Sequence, residues 1–333
     1  MGLDNPAEKP HERLARHLAG DLAAVNALIR ERMASRHAPR IPEVTAHLIE
    51  AGGKRIRPML TIAAARLCGY GGDSHLKLAA TVEFIHTATL LHDDVVDESA
   101  RRRGRPTANL LWDNKSSVLV GDYLFARAFQ LMVECGSLRV LGILSDAAAR
   151  IAEGEVLQLT AAQNLATTED IYLQVIGGKT AALFTASTEA GAEIAGADEP
   201  TVRALAQYGE SIGIAFQIVD DYLDYGGAGA GIGKNIGDDF RERKLTLPVI
   251  RAVAQADADE RAFWVRVVEK GAQRDGDLDQ AMALMARHGT LESTRATALD
   301  WAAQARTALD GLPDDPLRDM LADLADYVVA RLV

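Results

Sequence analysis

Residues 76–97 of the chain read LKLAATVEFIHTATLLHDDVVD, a mostly apolar run that ends in an acidic motif of the form Asp-Asp-x-x-Asp. The run predicts one long helix over 76–97. Because a helix turns about 100° per residue, positions i, i+1 and i+4 fall on one face. Asp93, Asp94 and Asp97 would then present three carboxylates together, and His86 would share their stripe. The alternative is a solvent-facing polar stripe, which the apolar neighbours disfavour.

A second motif of the same form ends the helix that we predict over 199–225, where residues 216–224 read FQIVDDYLD. Asp220, Asp221 and Asp224 would share one face in the same way. The alternative is a polar helix end, but three acids there oppose the helix dipole, and a bound cation would remove that penalty. Hard divalent ions such as Mg²⁺ bind carboxylates and usually bring substrate phosphates with them. The pair of motifs therefore predicts a metal–polyphosphate site.

The bulk composition is that of an ordinary globular protein, with 48% hydrophobic and 25% charged residues among 333. The low aromatic content of 5% favours helix packing over sheet. The net charge of −11 argues against a general nucleic-acid surface. Cys68 and Cys135 lie far apart without a Cys-x-x-Cys pattern, which indicates a reducing compartment, no disulfide framework and no zinc site. With no secretory signal and no membrane span expected, we predict a cytoplasmic location.

The rest of the chain also reads as helix, without strand alternation, so the predicted fold class is all-α. We expect a single large all-α domain over 1–333, with a variable helical leader over 1–40. Breaks are expected near Pro39 and Pro42, a basic loop over 98–109, and a mobile glycine-rich loop over 226–237. The other helices are predicted over 11–33, 58–68, 115–135, 138–162 and 168–195, the last interrupted by Gly177-Gly178, with further helices over 244–333.

Basic residues cluster beside these features. Arginine binds phosphate bidentately and lysine binds it as a point charge. The alternatives are surface charges that balance an acidic protein, or a nucleic-acid patch for the arginine run. Their position beside carboxylate motifs favours phosphate held next to metal. The clusters are Lys54, Arg55 and Arg57 after a Gly-Gly turn, Arg101, Arg102, Arg103 and Arg105 after the first motif, Lys179 after Gly177-Gly178, and Lys234 and Lys244 after the second motif.

Two short patterns imitate other sites. Gly178-Lys179-Thr180 resembles the end of a P-loop, but that pattern needs a glycine where Leu173 stands and a preceding strand. Glu83-x-x-His86 resembles half of a di-iron carboxylate site, and its only other copy, at 8–11, lies in the polar leader. A di-iron bundle is therefore an alternative that metal analysis would decide.

Taken together, the motifs resemble the trans-type polyprenyl diphosphate synthases, in particular the long-chain octaprenyl, solanesyl and decaprenyl enzymes. The resemblance covers about residues 45–330. It departs from the family at Arg243, where many members have glycine before the lysine. The motifs that carry it are GGKRIRP (52–58), LLHDDVVD (90–97), RRG (102–104), GEVLQ (154–158), GKT (178–180), FQIVDDYLD (216–224), GKNIGDD (233–239) and KLTLP (244–248).

The resemblance implies a helical bundle around a central cavity and a Mg²⁺-dependent condensation. Isopentenyl diphosphate would react with an allylic diphosphate (geranyl, farnesyl or geranylgeranyl), and pyrophosphate would leave. It implies that Asp93 and Asp97 hold two Mg²⁺ ions and Asp220 a third, with Asp94, Asp221 and Asp224 completing the metal-binding set. It also implies a homodimer that delivers its product to the membrane, for use as a quinone side chain.

The same resemblance assigns the substrate-binding residues. Lys179, through its backbone carbonyl, and Thr180 and Gln217, through their side chains, would also be catalytic, because these dipoles would face the allylic cation. The allylic diphosphate would be bound by Arg102, Lys179, Gln217 and Lys234, isopentenyl diphosphate by Lys54, Arg57, His86 and Arg103, and Thr180 and Lys244 would complete the substrate-binding set.

Product length is predicted from the helix before the first motif. Ala88 and Thr89 directly precede the acidic motif, and Val82 and Ile85 lie further down the helix. Bulky aromatic residues there would close the cavity, whereas these residues leave a channel open. We therefore expect a long product, of a length that the sequence does not give.

Two further alternatives belong to other functional classes. A non-catalytic partner subunit of a heteromeric synthase would tend to lose aspartates from one motif, and both motifs are intact here. A terpene cyclase usually mixes Asn, Ser or Thr with Glu in its second metal site. It would also have no use for the GGKRIRP cluster, which the resemblance assigns to isopentenyl diphosphate.

Overall fold

The computed structural model describes residues 8–35, 37–50, 53–102, 104–226 and 236–332. Within these ranges the fold is all-α, as predicted, and the two strands are only two residues long. The elements are α1 Pro10–His17, α2 Ala19–Met33, α3 Arg40–Glu50, α4 Ile56–Leu67, α5 Ser74–Val96, β1 Arg101–Arg102, β2 Arg105–Pro106, α6 Ala108–Leu111, α7 Asn114–Glu134, α8 Leu138–Ala161, α9 Glu169–Ile176, α10 Ala182–Ile194, α11 Glu199–Gly226, α12 Asp238–Arg241, α13 Leu247–Gln255, α14 Ala258–Trp264, α15 Asp277–Arg287, α16 Thr290–Ala308 and α17 Pro316–Val329.

Short irregular turns join some of these helices. A π-helical turn, Gly177–Ala181, connects α9 to α10, and a second one, Val265–Glu269, follows α14. A 3₁₀ turn, Ala330–Leu332, follows α17. No helix in the described part of the chain is both long and apolar enough to span a membrane.

The prediction of a break near Pro42 is wrong, because α3 runs through this residue. Pro42 stands in the first turn of α3, where the backbone N–H groups have no partner within the helix. Proline therefore loses no hydrogen bond there. The single helix predicted over 11–33 is in fact two, because Leu18 leaves helical geometry with a ψ of 17° between α1 and α2.

The basic segment after the first motif contains a small hairpin that the sequence pattern does not predict. β1 and β2 pair in antiparallel register, with Arg102 opposite Arg105. Gly104 forms the turn with a φ of +78°, a left-handed conformation that glycine adopts without steric penalty. The hairpin turns the chain back after α5 and leads into α6.

The described residues group into two compact units, and each is considered by itself. Unit 1 consists of 1–148, 183–209 and 311–324, and unit 2 of 149–182, 210–310 and 325–333. The single-domain organisation stays a prediction.

Helix α5 is the centre of unit 1. It packs against α2, α4 and α7, and Leu78, Phe84, Ile85 and Leu91 are essentially inaccessible to solvent. Burial of each such side chain contributes about 1.5–3 kcal/mol to stability. The apolar residues of the LKLAATVEFIHTATLL run are therefore the reason that the acidic end of this helix is held in a fixed place.

Unit 2 is built around the second half of α11 and the helices that follow. One buried cluster surrounds Ile214 and Ile218 of α11 and includes Tyr172 of α9. A second cluster surrounds Trp264, which is fully buried, and includes Tyr225 at the end of α11. Both clusters include residues from the acidic end of α11, since Tyr222 and Leu223 pack against the first and Tyr225 belongs to the second.

Candidate active site

The first aspartate motif lies at the end of α5 in unit 1, and its three carboxylates have different surroundings. Asp94 is fully buried, and Arg102 donates a hydrogen bond from Nε to its Oδ1 at 2.8 Å. Burial raises the pKa of Asp94, and the Arg102 charge opposes that rise. Asp93 is half-buried and Asp97, the C-cap residue of α5, is exposed. The helical periodicity therefore does not make the three groups equivalent, because Asp94 anchors Arg102.

The hairpin explains how Arg102 reaches Asp94. The backbone N–H of Ser99 donates to the Asp94 carbonyl at 3.0 Å, and the Thr107 hydroxyl donates to the Ser99 carbonyl at 2.6 Å. These bonds close the segment after α5, and the β1–β2 pairing returns Arg102 toward the helix end. Arg103, predicted to bind isopentenyl diphosphate, lies outside the described residues.

The basic residues at the start of α4 meet the middle of α5. The Arg57 guanidinium lies 4.3 Å from the centroid of the buried Phe184 ring, and its Nη1 lies 3.4 Å from Nε2 of His86. Stacking on an aromatic face stabilises a cation and orients the planar guanidinium. Arg57 and His86 are therefore brought together, as the predicted binding set requires.

Arg55 and Lys54 have separate environments at the same helix start. Arg55 adopts a left-handed φ of 51° as the N-cap of α4 and forms an ion pair with the buried Glu83 of α5. Lys54 is exposed, and its charge, after burial, is the second cause that lowers the pKa of His11. Because Glu83 pairs with Arg55, its carboxylate supports α4, which argues against Glu83 as an iron ligand.

The second aspartate motif lies at the end of α11 in unit 2, and here too the middle carboxylate is engaged. Asp221 accepts hydrogen bonds from the Tyr172 hydroxyl at 2.6 Å and from Nε2 of Gln217 at 2.8 Å. Gln217 in turn accepts a hydrogen bond from the Thr180 hydroxyl at 2.8 Å. Burial, and next the Asp221 charge, raise the pKa of Tyr172, so its hydroxyl stays protonated and donates. The half-buried Asp220 stands beside this chain of hydrogen bonds.

Asp224 supports the backbone that follows the motif. Its two carboxylate oxygens accept hydrogen bonds from the N–H groups of Asp238 and Asp239 at 3.2 and 3.0 Å. The carboxylate thereby satisfies backbone donors in the first turn of α12. Lys234, in the predicted mobile loop, lies outside the described residues.

Two of the predicted binding lysines of unit 2, Lys179 and Lys244, each pair with a carboxylate. Lys179 lies in the π-helical turn between α9 and α10, and its Nζ is 2.9 Å from Oε2 of Glu155. Lys244 forms an ion pair with Glu242 at 2.5 Å. Arg243, which replaces the glycine common in the resembled family, has a left-handed φ of 58°. The departure in sequence therefore keeps the backbone conformation that glycine adopts most easily.

The residues predicted to set product length divide into two groups on α5. Val82, Ile85 and Ala88 are buried, with exposed fractions of 0–1%. Thr89 is half-buried, and its hydroxyl donates to the His86 carbonyl at 2.8 Å. Thr89 thus belongs to the same partly accessible face as His86 and Asp93, one turn before the motif.

The carboxylates fit a metal that is only partly coordinated by protein. In the described residues, no three His, Cys, Asp or Glu side chains are grouped so that they could hold a metal ion. Mg²⁺ is usually bound through one or two carboxylates together with waters and substrate phosphates, all of them oxygen ligands. Asp93, Asp97 and Asp220 offer the matching hard donors.

Sequence reasoning missed the residues that hold the predicted site residues in place. Tyr172 and Phe184 carry no local signal, because their importance comes from contacts with Asp221 and Arg57. Glu83 was considered only as an iron ligand. Glu155 stands in the GEVLQ motif, which marks the family but received no role.

Comparisons with known proteins identify the family of the chain. A family model described as polyprenyl synthetase matches residues 38–285. Octaprenyl diphosphate synthase of Escherichia coli (strain K12) is 44% identical over 320 residues, which cover 96% of this chain and 98% of that protein. Among solved structures, a decaprenyl diphosphate synthase from Rhodobacter capsulatus is 75% identical with a TM-score of 0.95, covering 97% of this chain and 100% of that chain. A polyprenyl synthase from Caulobacter crescentus CB15, complexed with calcium and isoprenyl diphosphate, is 51% identical with a TM-score of 0.91, covering 96% and 97% of the two chains. The chain therefore belongs to the polyprenyl synthetase family of chain-elongating trans-prenyltransferases.

Proposed function

We propose that the chain condenses isopentenyl diphosphate with an allylic diphosphate such as geranyl, farnesyl or geranylgeranyl diphosphate. Pyrophosphate leaves, and the product is a long-chain all-trans polyprenyl diphosphate that serves as a quinone side chain. One observation carries the proposal: in each aspartate motif the middle carboxylate is buried and hydrogen-bonded to a residue of the predicted allylic set. These pairs are Asp94 with Arg102 and Asp221 with Gln217.

Mg²⁺ is the proposed metal, with three ions held by Asp93, Asp97 and Asp220. When bound, Mg²⁺ would neutralise the diphosphate and stabilise the negative charge that develops on it as it leaves. The calcium in the Caulobacter crescentus relative supports a divalent cation in this family. Asp94, Asp221 and Asp224 support these ligands through the hydrogen bonds that they accept.

The basic residues are proposed to bind the two diphosphates. Arg57, oriented by Phe184 and beside His86, binds isopentenyl diphosphate together with Lys54 and Arg103. The allylic diphosphate is bound by Arg102, Lys179, Gln217 and Lys234. Lys244, which follows the second motif in the sequence, completes the proposed substrate-binding set.

The Thr180 hydroxyl and the Gln217 side-chain amide are proposed to stabilise the charge that develops on the reacting allylic carbon. The Thr180 hydroxyl donates to Gln217, and Gln217 donates to Asp221, so this chain of dipoles is oriented before substrate binds. Oriented dipoles stabilise developing charge because they need no reorganisation during the reaction. A water-poor environment would protect the allylic cation from hydrolysis.

A long product is supported by the relatives and by α5. The names of the relatives from Escherichia coli and Rhodobacter capsulatus are octaprenyl and decaprenyl diphosphate synthase. The half-buried Thr89 is the residue that we propose to face the growing chain, whereas Ala88 is fully buried. Thr89→Phe should therefore shorten the products, and Ala88→Phe should mainly destabilise the fold. An unchanged product ladder for Thr89→Phe would contradict this assignment.

The direct test is to incubate the purified chain with Mg²⁺, isopentenyl diphosphate and farnesyl diphosphate and to size the products. We expect polyprenyl diphosphates of octaprenyl to decaprenyl length from the chain alone. Asp93→Asn and Asp220→Asn should each lose nearly all turnover, whereas Asp310→Asn, at an exposed position, serves as the control. A near-normal rate for either of the first two variants would refute the metal assignment, and a wild-type chain that elongates nothing would refute the function.

A homodimer is proposed as the working form, with delivery of the product to the membrane and a cytoplasmic location as accompanying predictions. Its support is a set of exposed apolar side chains on the neighbouring helices α6 and α7, which are Leu110, Leu111, Val118, Leu119, Phe129 and Val133. Apolar side chains that together form an exposed patch mark interaction sites in soluble proteins. Leu119→Glu together with Val133→Glu should shift the sedimentation mass from dimer to monomer. A wild-type monomer at micromolar concentration would contradict the proposal.

A further inference from the structure

The GEVLQ motif of α8 meets the π-helical turn Gly177–Ala181 through two glycines. A Cβ atom added to Gly154 would stand 2.5 Å from the backbone nitrogen of Lys179 and 3.0 Å from the carbonyl carbon of Gly178. A Cβ atom added to Gly178 would stand 2.7 Å from the Arg150 carbonyl oxygen. The two backbones therefore touch without intervening side chains, which fixes the position of the π-helical turn on α8.

Lys179 is held on α8 at both of its ends. Its backbone nitrogen packs on Gly154, and its Nζ pairs with the carboxylate of the next residue, Glu155, at 2.9 Å. The side chains are 23% and 24% exposed, so both remain partly accessible. A lysine side chain loses rotamer entropy when it is fixed. A lysine that is fixed in advance avoids that loss when it binds substrate.

The π-helical turn points successive residues at two different partners. Lys179 reaches Glu155 of α8, and Thr180 donates its hydroxyl to Gln217 of α11 at 2.8 Å. A π-helical turn inserts an extra residue into a helix and occurs often at functional sites. The two anchors together set the orientation of the proposed allylic-diphosphate residues of this unit.

We propose that Glu155 is a positioning residue that orients the Lys179 ammonium group for the allylic diphosphate. The proposal rests on the proposed function, in which Lys179 binds that diphosphate. An ammonium group has three N–H donors, so one can bond Glu155 while two remain for phosphate oxygens. A partly exposed ion pair contributes little to stability, so fold stability alone is a weak reason for this pair.

Removal of the Glu155 carboxylate has two effects of opposite sign on the affinity for the allylic diphosphate, so the measured change distinguishes them. A carboxylate near a bound diphosphate repels it, so loss of that charge alone would strengthen binding. Loss of the anchor would release Lys179 and weaken binding. If positioning dominates, Glu155→Ala binds the allylic substrate more weakly, and Glu155→Gln, which keeps an acceptor oxygen, restores much of the affinity.

The experiment measures the dissociation constant of farnesyl diphosphate with Mg²⁺ and without isopentenyl diphosphate, and then the KM values for both substrates. For Glu155→Ala we expect about tenfold weaker binding of farnesyl diphosphate and a KM for isopentenyl diphosphate within about twofold of wild type. For Glu155→Gln, the dissociation constant of farnesyl diphosphate should lie between those of wild type and Glu155→Ala. Glu169→Gln, which breaks the partly exposed ion pair between Glu169 and Arg251, is the matched control and should change neither constant.

Three results would overturn the proposal. Tighter binding by Glu155→Ala would show that Glu155 competes with the diphosphate instead of positioning Lys179. Equal losses of affinity for farnesyl diphosphate in Glu155→Gln and Glu155→Ala, together with a lowered Tm, would show that Glu155 has a purely structural role. If Lys179→Ala binds farnesyl diphosphate normally, Lys179 is not a diphosphate ligand and nothing needs positioning. A failure of the proposed function is distinguishable, because the wild-type chain would then bind no farnesyl diphosphate.

Discussion

Gly154→Ala tests the contact between α8 and the π-helical turn most directly. An alanine Cβ would stand 2.5 Å from the Lys179 nitrogen, whereas ordinary van der Waals contact begins at 3.4 Å. Both partners are backbone atoms, so no flexible side chain can turn away, and the segments must separate by about 1 Å. Overpacking of a close contact costs about 1–3 kcal/mol. Alanine also gains up to about 1 kcal/mol over glycine in a helix, which partly masks the cost.

Gly142→Ala separates these two effects, because Gly142 lies in the same helix and an added Cβ there would meet nothing within 4 Å. It should therefore show the helix gain alone. We expect urea unfolding to give Gly154→Ala a free energy of unfolding about 1–3 kcal/mol below that of Gly142→Ala. The difference between the two variants measures the contact itself, since the helix gain is common to both.

Catalysis should be more sensitive to Gly154→Ala than stability is. A displacement of about 1 Å in a group that positions substrate can lower the rate about a hundredfold. We therefore expect kcat/KM for farnesyl diphosphate to fall by one to two orders of magnitude for Gly154→Ala and to stay unchanged for Gly142→Ala. If the two variants are equally stable and equally active, the backbone contact does not hold Lys179 and the reasoning fails.

Three further measurements check other parts of the structure. Tyr172→Phe leaves the buried Asp221 without its hydroxyl donor and should lower both Tm and turnover. Tyr208→Phe removes a buried hydrogen bond to the Leu321 carbonyl and should lower Tm alone. Equal turnover in the two variants would contradict a role for Tyr172. Burial raises the pKa of the Cys68 and Cys135 thiols to about 11. At pH 8 the folded protein should therefore react with iodoacetamide about a hundredfold more slowly than the protein unfolded in urea. Equal rates would contradict the burial of the two thiols. Hydrogen bonds from Arg266 lower the pKa of Asp277 in the folded protein. The contribution of the Asp277 carboxylate to stability is therefore present above its unfolded pKa of about 3.9 and is lost as the pH falls through the folded pKa. The difference in Tm between wild type and Asp277→Asn should shrink below about pH 4.

The parts of the fold that follow from local pattern were predictable. Helix α5 was predicted over 76–97 and runs over Ser74–Val96, because its apolar periodicity and its packing in the core agree. Helix α11 was predicted over 199–225 and runs over Glu199–Gly226. In both cases a long periodic segment determines the element, and the acidic motif at its end is placed with it.

The parts that depend on contacts between distant segments were not predictable. Tyr172 reaches Asp221 from another helix, and nothing in its local sequence indicates this hydrogen bond. The left-handed backbone at Arg55 and Arg243 is unusual for residues with a side chain, and propensity argues against it. For Arg55, the ion pair with Glu83 supplies a tertiary reason.

The identical spacing of the two motifs now has a more specific meaning than three carboxylates on one face. In both, the second aspartate is buried, and it accepts a hydrogen bond from a residue that we propose to bind the allylic substrate. Asp221 accepts a hydrogen bond on each of its carboxylate oxygens, whereas Asp94 accepts one on Oδ1 and its buried Oδ2 has no hydrogen-bond partner among the described residues. Both carboxylates therefore serve as anchors for the side chains that donate to them. The negative charge that a metal would balance is mainly that of Asp93, Asp97 and Asp220, because Asp224 accepts hydrogen bonds from two backbone N–H groups. A divalent ion that arrives with a diphosphate would supply that balance, with water and phosphate oxygens as its other ligands, so neither motif would need to form a complete metal cage.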